Sequence, residues 1–152
     1  GTNTSLVIGN GNMITSVSGQ TTFNGTTTFA GGVNIIMSGS VQNRVDPQPI
    51  ISTTASLDFS ASSMFELTLV SGSTTHLVPT NANPGQTVNV LIKQPAVGTG
   101  SVEFCPEFFQ PTGSLYVPSS QTDARDILTM VSFNQASEIY VSNVVRLVNN
   151  PY

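Results

Sequence analysis

In short runs from Leu57 onward, apolar and polar side chains alternate with a period of two, the spacing that puts one face of a strand into a core. Phe65, Leu67 and Leu69 fall on one face of Phe65–Val70, with Glu66 and Thr68 on the other. Val88, Val90 and Ile92 share a side of Thr87–Lys93. The same reading predicts strands at Leu57–Phe59, Thr75–Val78, Ser101–Phe104, Leu115–Val117, Asp126–Phe133 and Glu138–Val148. Ile127-Leu128 and Met130-Val131 suggest a strand buried on both faces. Between these runs stand turn signals: Ser71-Gly72-Ser73, Gly98-Thr99-Gly100 and the polar Asn134–Ser137. Asn83-Pro84-Gly85-Gln86 places Pro and Gly at the centre of a type II turn. Such signals recur at intervals of roughly 8–12 residues, which predicts an all-β, antiparallel β-sandwich or jelly-roll-like domain.

Upstream the rhythm changes. An apolar residue stands two places before a glycine at Val17/Gly19, Phe23/Gly25, Phe29/Gly31 and Met37/Gly39. Thr-Phe-Asn-Gly is echoed six residues later by Thr-Phe-Ala-Gly. Short strands are expected at Ser5–Ile8, Met13–Val17, Thr21–Phe23, Thr26–Phe29 and Val33–Met37. One such unit cannot bury its own apolar residue, whereas stacked units from several chains can. The expectation is an intertwined multi-chain β shaft, with Phe23 and Phe29 toward its axis or between chains. The alternative is a flexible Gly/Ser/Thr linker, against which stand Val7-Ile8, Ile35-Ile36-Met37 and both phenylalanines.

Composition sharpens this division. Residues 1–43 contain no ionisable side chain and no proline, yet eight of the thirteen glycines. Every charge and all nine prolines lie in residues 44–152. A neutral stretch suits a symmetric assembly, where each residue meets its own copies and like charges would repel. The boundary is placed in Arg44–Ile50, giving a shaft over 1–46 and a head over 47–152. Only 8% of residues are charged. Four basic residues, Arg44, Lys93, Arg125 and Arg146, are too few for a nucleic-acid surface. No apolar run approaches the ~18 residues of a membrane span. No secretory signal pattern is visible, and a start at Gly1 is read as a fragment or processed product. A single cysteine, Cys105, excludes an intrachain disulfide.

Candidate chemistry is sparse. His76 lies on a short strand with no nucleophile motif around any serine and is expected to be a surface or structural residue. Cys105, between Phe104 and Pro106, reads as a buried small apolar residue. The close carboxylate pairs are Glu103/Glu107 and Asp123/Asp126. Asp123-Ala124-Arg125-Asp126 reads as a turn with a local ion pair. No D-x-D-x-D loop or G-x-x-x-x-G-K sequence is present. No catalytic residue, cofactor or metal site is therefore expected. For sugar binding the candidates are Tyr116, Tyr140 and Phe108-Phe109, weighed against core or subunit-interface roles.

The string FELTLVSGSTTHLVPTNANPGQTVNVLIKQ, Phe65 to Gln94, resembles the C-terminal head domains of bacteriophage fibre and minor tail proteins. Gly98–Gly100, Glu103-Phe104 and Asp126–Leu128 match the later turn and strands of that pattern, and the Thr/Gly-rich start resembles a fibre shaft. The tryptophan common in the middle strand of those domains is absent here, with Phe104 in its neighbourhood. The resemblance implies a non-enzymatic virion structural protein, a homotrimer with a β shaft and a β-sandwich head. It implies contacts with other virion proteins through the N-terminal end and with a host-surface glycan or protein. A monomeric carbohydrate-binding module behind a flexible linker is the alternative.

Overall fold

The computed structural model describes Asn24, residues 42–113 and residues 115–147. The shaft strands expected within residues 1–43, with Phe23 and Phe29, lie outside the described residues. The chain divides into two compact units between Ser40 and Val41. The second unit is all-β. Its strands are β1 (Val45–Pro47), β2 (Thr54–Asp58), β3 (Met64–Thr68), β4 (Thr74–Thr80), β5 (Thr87–Lys93), β6 (Ser101–Phe104), β7 (Phe108–Phe109), β8 (Arg125–Ser132) and β9 (Ile139–Leu147). The segment expected to connect shaft and head thus supplies β1, an edge strand that tolerates Pro47 because one side needs no ladder bond.

The first six strands alternate between two sheets. One sheet has six strands in the order β1-β3-β5-β8-β9-β7, and the other three in the order β2-β4-β6. Each crossing and return brings the chain back in its original direction, so β1–β3, β3–β5, β2–β4 and β4–β6 are parallel. β7–β9 is also parallel, while β5–β8 and β8–β9 are antiparallel. The sheets are therefore mixed, which corrects the expected antiparallel, jelly-roll-like pairing. The physical reason lies in the turns. Gly72 and Gly85 do adopt positive φ, +68° and +83°, and Gln86 N–H donates to the Asn83 carbonyl at 3.2 Å. Yet each turn carries the chain across the core to the other sheet instead of folding one strand back on its neighbour. The Ser71–Ser73 arch then stacks on the Gly98–Gly100 arch: Gly72 N–H donates to Thr99 O at 2.8 Å, and Ser101 N–H to Ser73 O at 2.9 Å.

Both sheets turn their apolar sets into one core. Leu57 and Leu77 come from the small sheet, and Phe65, Val90, Leu128 and Met130 from the large one. Burial of each such side chain contributes roughly 1.5–3 kcal/mol. Pro79 sits in the central strand of the small sheet, but β6 pairs with β4 only as far as Leu77, so the missing N–H breaks no bond there.

Thr75 on β4 is fully buried, and its hydroxyl has no hydrogen-bond partner. An unpaired buried hydroxyl is costly. Thr75→Val keeps the shape and removes the polar atom, and we expect it to raise stability by about 1 kcal/mol in urea denaturation. A lower midpoint than that of the parent would show that the hydroxyl is satisfied.

The expected strand Leu115–Val117 does not form. Its alternation is real, with Tyr116 buried between exposed Leu115 and Val117, but it enters neither sheet. Tyr116 N–H instead donates to the side-chain oxygen of Gln110 at 2.7 Å.

Candidate functional site

The sequence candidates separate into buried and exposed groups. Phe108 and Tyr116 are buried. Both pack edge-on to Phe104, with ring centroids 5.1 and 6.0 Å away, so they belong to the core and not to a sugar-binding surface. Phe109 and Tyr140 are exposed. They sit opposite one another on β7 and β9, and their rings stack at 5.2 Å with 21° between planes. Phe133, at 64% exposure, meets Tyr140 edge-on at 5.3 Å. The sequence pattern puts Phe133 inside a strand; β8 ends one residue earlier and leaves the ring outside. An aromatic directly before the Asn134–Ser137 turn was the available signal.

Tyr140 is held from both directions. Its hydroxyl donates to Glu138 Oε1 at 2.6 Å, a contact that raises the phenol's pKa. Stacking between neighbours uses ring area that a sugar would need, so the cluster offers ring edges, the outer rings of Phe109 and Phe133, and one carboxylate. Among the described residues this is the exposed aromatic surface with the most built geometry.

The ionisable groups form no shared centre. His76 Nδ1 lies 3.3 Å from Glu103 Oε2 on the outer face of the small sheet, where both side chains are exposed. Exposed pairs of this kind contribute little. Cys105 is half-buried, and its thiol donates to Glu107. Burial first, then that hydrogen bond, pushes the thiol up to about 11. The thiolate that would act as nucleophile or ligand is thereby suppressed at neutral pH. Glu103 and Glu107 thus serve different partners. No group of three His, Cys, Asp or Glu residues able to hold a metal ion occurs among the described residues. No described helix is long and apolar enough to cross a membrane.

Comparison with family models, curated proteins and solved structures finds no match to this chain.

Asp126 departs from its expected role. The ion pairs among the described residues are Arg44–Asp46, His76–Glu103 and Lys93–Glu66, so the turn Asp123–Asp126 holds no local pair. Asp123 takes a left-handed φ of 56°, and Asp126 turns inward to 2% exposure. Its carboxylate accepts three hydrogen bonds: from Tyr116 Oη at 2.8 Å, Ser119 N at 2.8 Å and Ser119 Oγ at 2.7 Å. This knot pins the strandless segment 115–119 against β8. Tyr116 and Ser119 lie 10 and 7 residues from Asp126, in a loop whose path no local pattern reveals. The role is structural: the carboxylate is filled by protein donors.

Proposed function

We propose that this chain is a non-enzymatic structural protein of a bacteriophage particle. It is a homotrimeric fibre or spike element, of tail fibre, head fibre or decoration type, with residues 1–46 as a β-structured shaft. The two-sheeted β domain downstream forms the head. The observation that carries this reading is the break in composition after residue 43, where an ionisable-free, glycine-punctuated stretch gives way to every charge in the chain. The resemblance of Phe65–Gln94 to fibre head domains supports it, as does the all-β character of the described unit.

The mechanism in this reading is mechanical. Burial between chains along the shaft fixes the trimer, and the trimer presents three heads in the virion. Three weak contacts to a host-surface glycan or protein then act together through effective concentration. The N-terminal end joins other virion proteins.

Light scattering on the whole chain tests the reading, with three chain masses as the expected result. Phe29→Ser should lower the melting temperature of that oligomer, because Phe29 is read as packed between chains. The exposed rings of Phe109 and Phe133 favour the rival, a monomeric carbohydrate-binding module. A single chain mass with a protease-sensitive start would select that rival.

A further inference from the structure

The two sheets have unlike outer faces. The three-stranded sheet shows Thr54, Ser56, Thr74, His76, Ser101 and Glu103 to solvent, and Val78 is the one apolar residue among its outward positions. The six-stranded sheet carries many more apolar side chains among its outward positions, mixed with polar ones. Val45, Met64, Leu91, Ile127, Val145 and Leu147 form a broken band on its outer face: Val45 stands opposite Met64, Leu91, Ile127 and Val145 make one cross-strand row, and Glu66, Asn89, Lys93, Arg125 and Thr129 are interspersed among them. Four of these, Val45, Met64, Val145 and Leu147, are exposed. The band surrounds a hollow of about 150 Å³ lined by Val45, Met64, Leu91 and Ile127 together with Phe65, Glu66 and Asn89. Phe109 and Tyr140 stand on the same face, beside Val131, at the β7 edge.

We propose that this outer face of the six-stranded sheet is an interface between copies of this chain. The proposal rests on the trimeric reading above. Two observations single out a second copy as the occupant.

The first is charge. Glu66 and Lys93, in the middle of the face, neutralise one another at 2.6 Å, and Arg125 stands at one end. A face with almost no net charge can meet its own copies without like-charge repulsion, whereas a charged partner would find nothing complementary.

The second is where the chain enters. Gln42–Arg44 lead directly into β1, an edge strand of this sheet. Copies joined through residues 1–43 are tethered within a few residues of the apolar band. Tethering raises the effective concentration of one band near the next, so modest apolar contact suffices to close it. Exposed apolar side chains gathered on one face can mark an interaction surface in soluble proteins.

Spin labels test the proposal in the full chain on a Cys105→Ser background. Val145→Cys places a label on the band, and Thr74→Cys places one on the polar outer face of the other sheet. Molar mass is measured on the same samples. A trimer in which distances between copies are shorter from position 145 than from position 74 supports the interface. A trimer with distances from 145 as long as those from 74 overturns it and leaves the trimeric reading standing. A single chain mass overturns both. The double variant Val145→Lys/Leu147→Lys, at two exposed positions, should lengthen distances from a label at position 64 (Met64→Cys), and unchanged distances also count against the interface.

Discussion

Asp126→Ala should destabilise the described domain by about 3–5 kcal/mol, because it leaves three donors in a buried site with no acceptor. The orphaned groups are the Tyr116 hydroxyl, the Ser119 amide and the Ser119 hydroxyl. Chemical denaturation at neutral pH is the measurement. Asp126→Asn gives the control. Its amide oxygen can serve Tyr116 and the Ser119 N–H, while its NH₂ donates to the Ser119 hydroxyl, which can rotate. That variant should lose only charge assistance, about 1 kcal/mol. Equal losses for the two variants would mean that negative charge, and not the supply of acceptors, holds segment 115–119. The same knot gives an alkaline limb. Burial, followed by the bond to Asp126, raises the Tyr116 pKa above its ordinary value of 10.0. The folded state then keeps a proton that the unfolded chain releases, so this stabilisation is intact below pH 10 and declines above it. Tyr116→Phe should flatten that decline.

Gly100→Ala should cost about 2–3 kcal/mol through overpacking. A methyl group there would stand 2.6 Å from the Val70 carbonyl oxygen and 2.8 Å from Leu69 Cβ, neither of which can swing aside. Gly100 is also clasped by the buried side chain of Gln94, which accepts from its N–H at 2.8 Å and donates to its carbonyl at 3.0 Å. A shift that relieves the clash pulls on both bonds and on the stacked arches beside them. Gly113→Ala is the comparison. Its φ of +77° disfavours any side chain, but open space surrounds the added carbon, so the expected cost is about 1 kcal/mol. If thermal melts ranked Gly113→Ala as the more damaging, the arches would have slack that the close approach denies.

Gln94 shows where sequence reading stops. It is visible as the residue ending a strand, yet its amide reaches across to clasp both backbone groups of Gly100, and nothing in the adjoining residues announces that. What was legible comes from local physics. Period-two alternation located β5 and β6 to the residue, at Thr87–Lys93 and Ser101–Phe104, and located β3, β4, β8 and β9 to within a few residues. Type II geometry at Asn83–Gln86 was likewise readable, because Pro and Gly restrict φ before any tertiary contact exists. Strand partners were not readable. A glycine turn shows that the chain reverses but not whether the reversal lies within one sheet or across a core. Phe65–Val70 and Thr75–Val78, successive strands on either side of the Ser71–Ser73 turn, belong to different sheets. Among the aromatic candidates, Phe109 and Tyr140 are exposed while Phe108 and Tyr116 are not, a distinction made by neighbours distant in sequence.

The alternation of strands between sheets bears on how quickly the domain can organise itself. Val45 pairs opposite Met64, Met64 opposite Asn89, and Thr74 opposite Ser101, so each pairing among the first six strands closes a loop of about twenty residues or more. The β8–β9 ladder is the one formed across a short connection. Topologies dominated by such distant pairings lie toward the slow, millisecond-to-second end of folding rates, with chain entropy lost before contacts repay it. During that interval β5 and β8 are apolar strands awaiting partners, and the proline- and glycine-marked arches, which limit the conformations to be searched, are what shorten it.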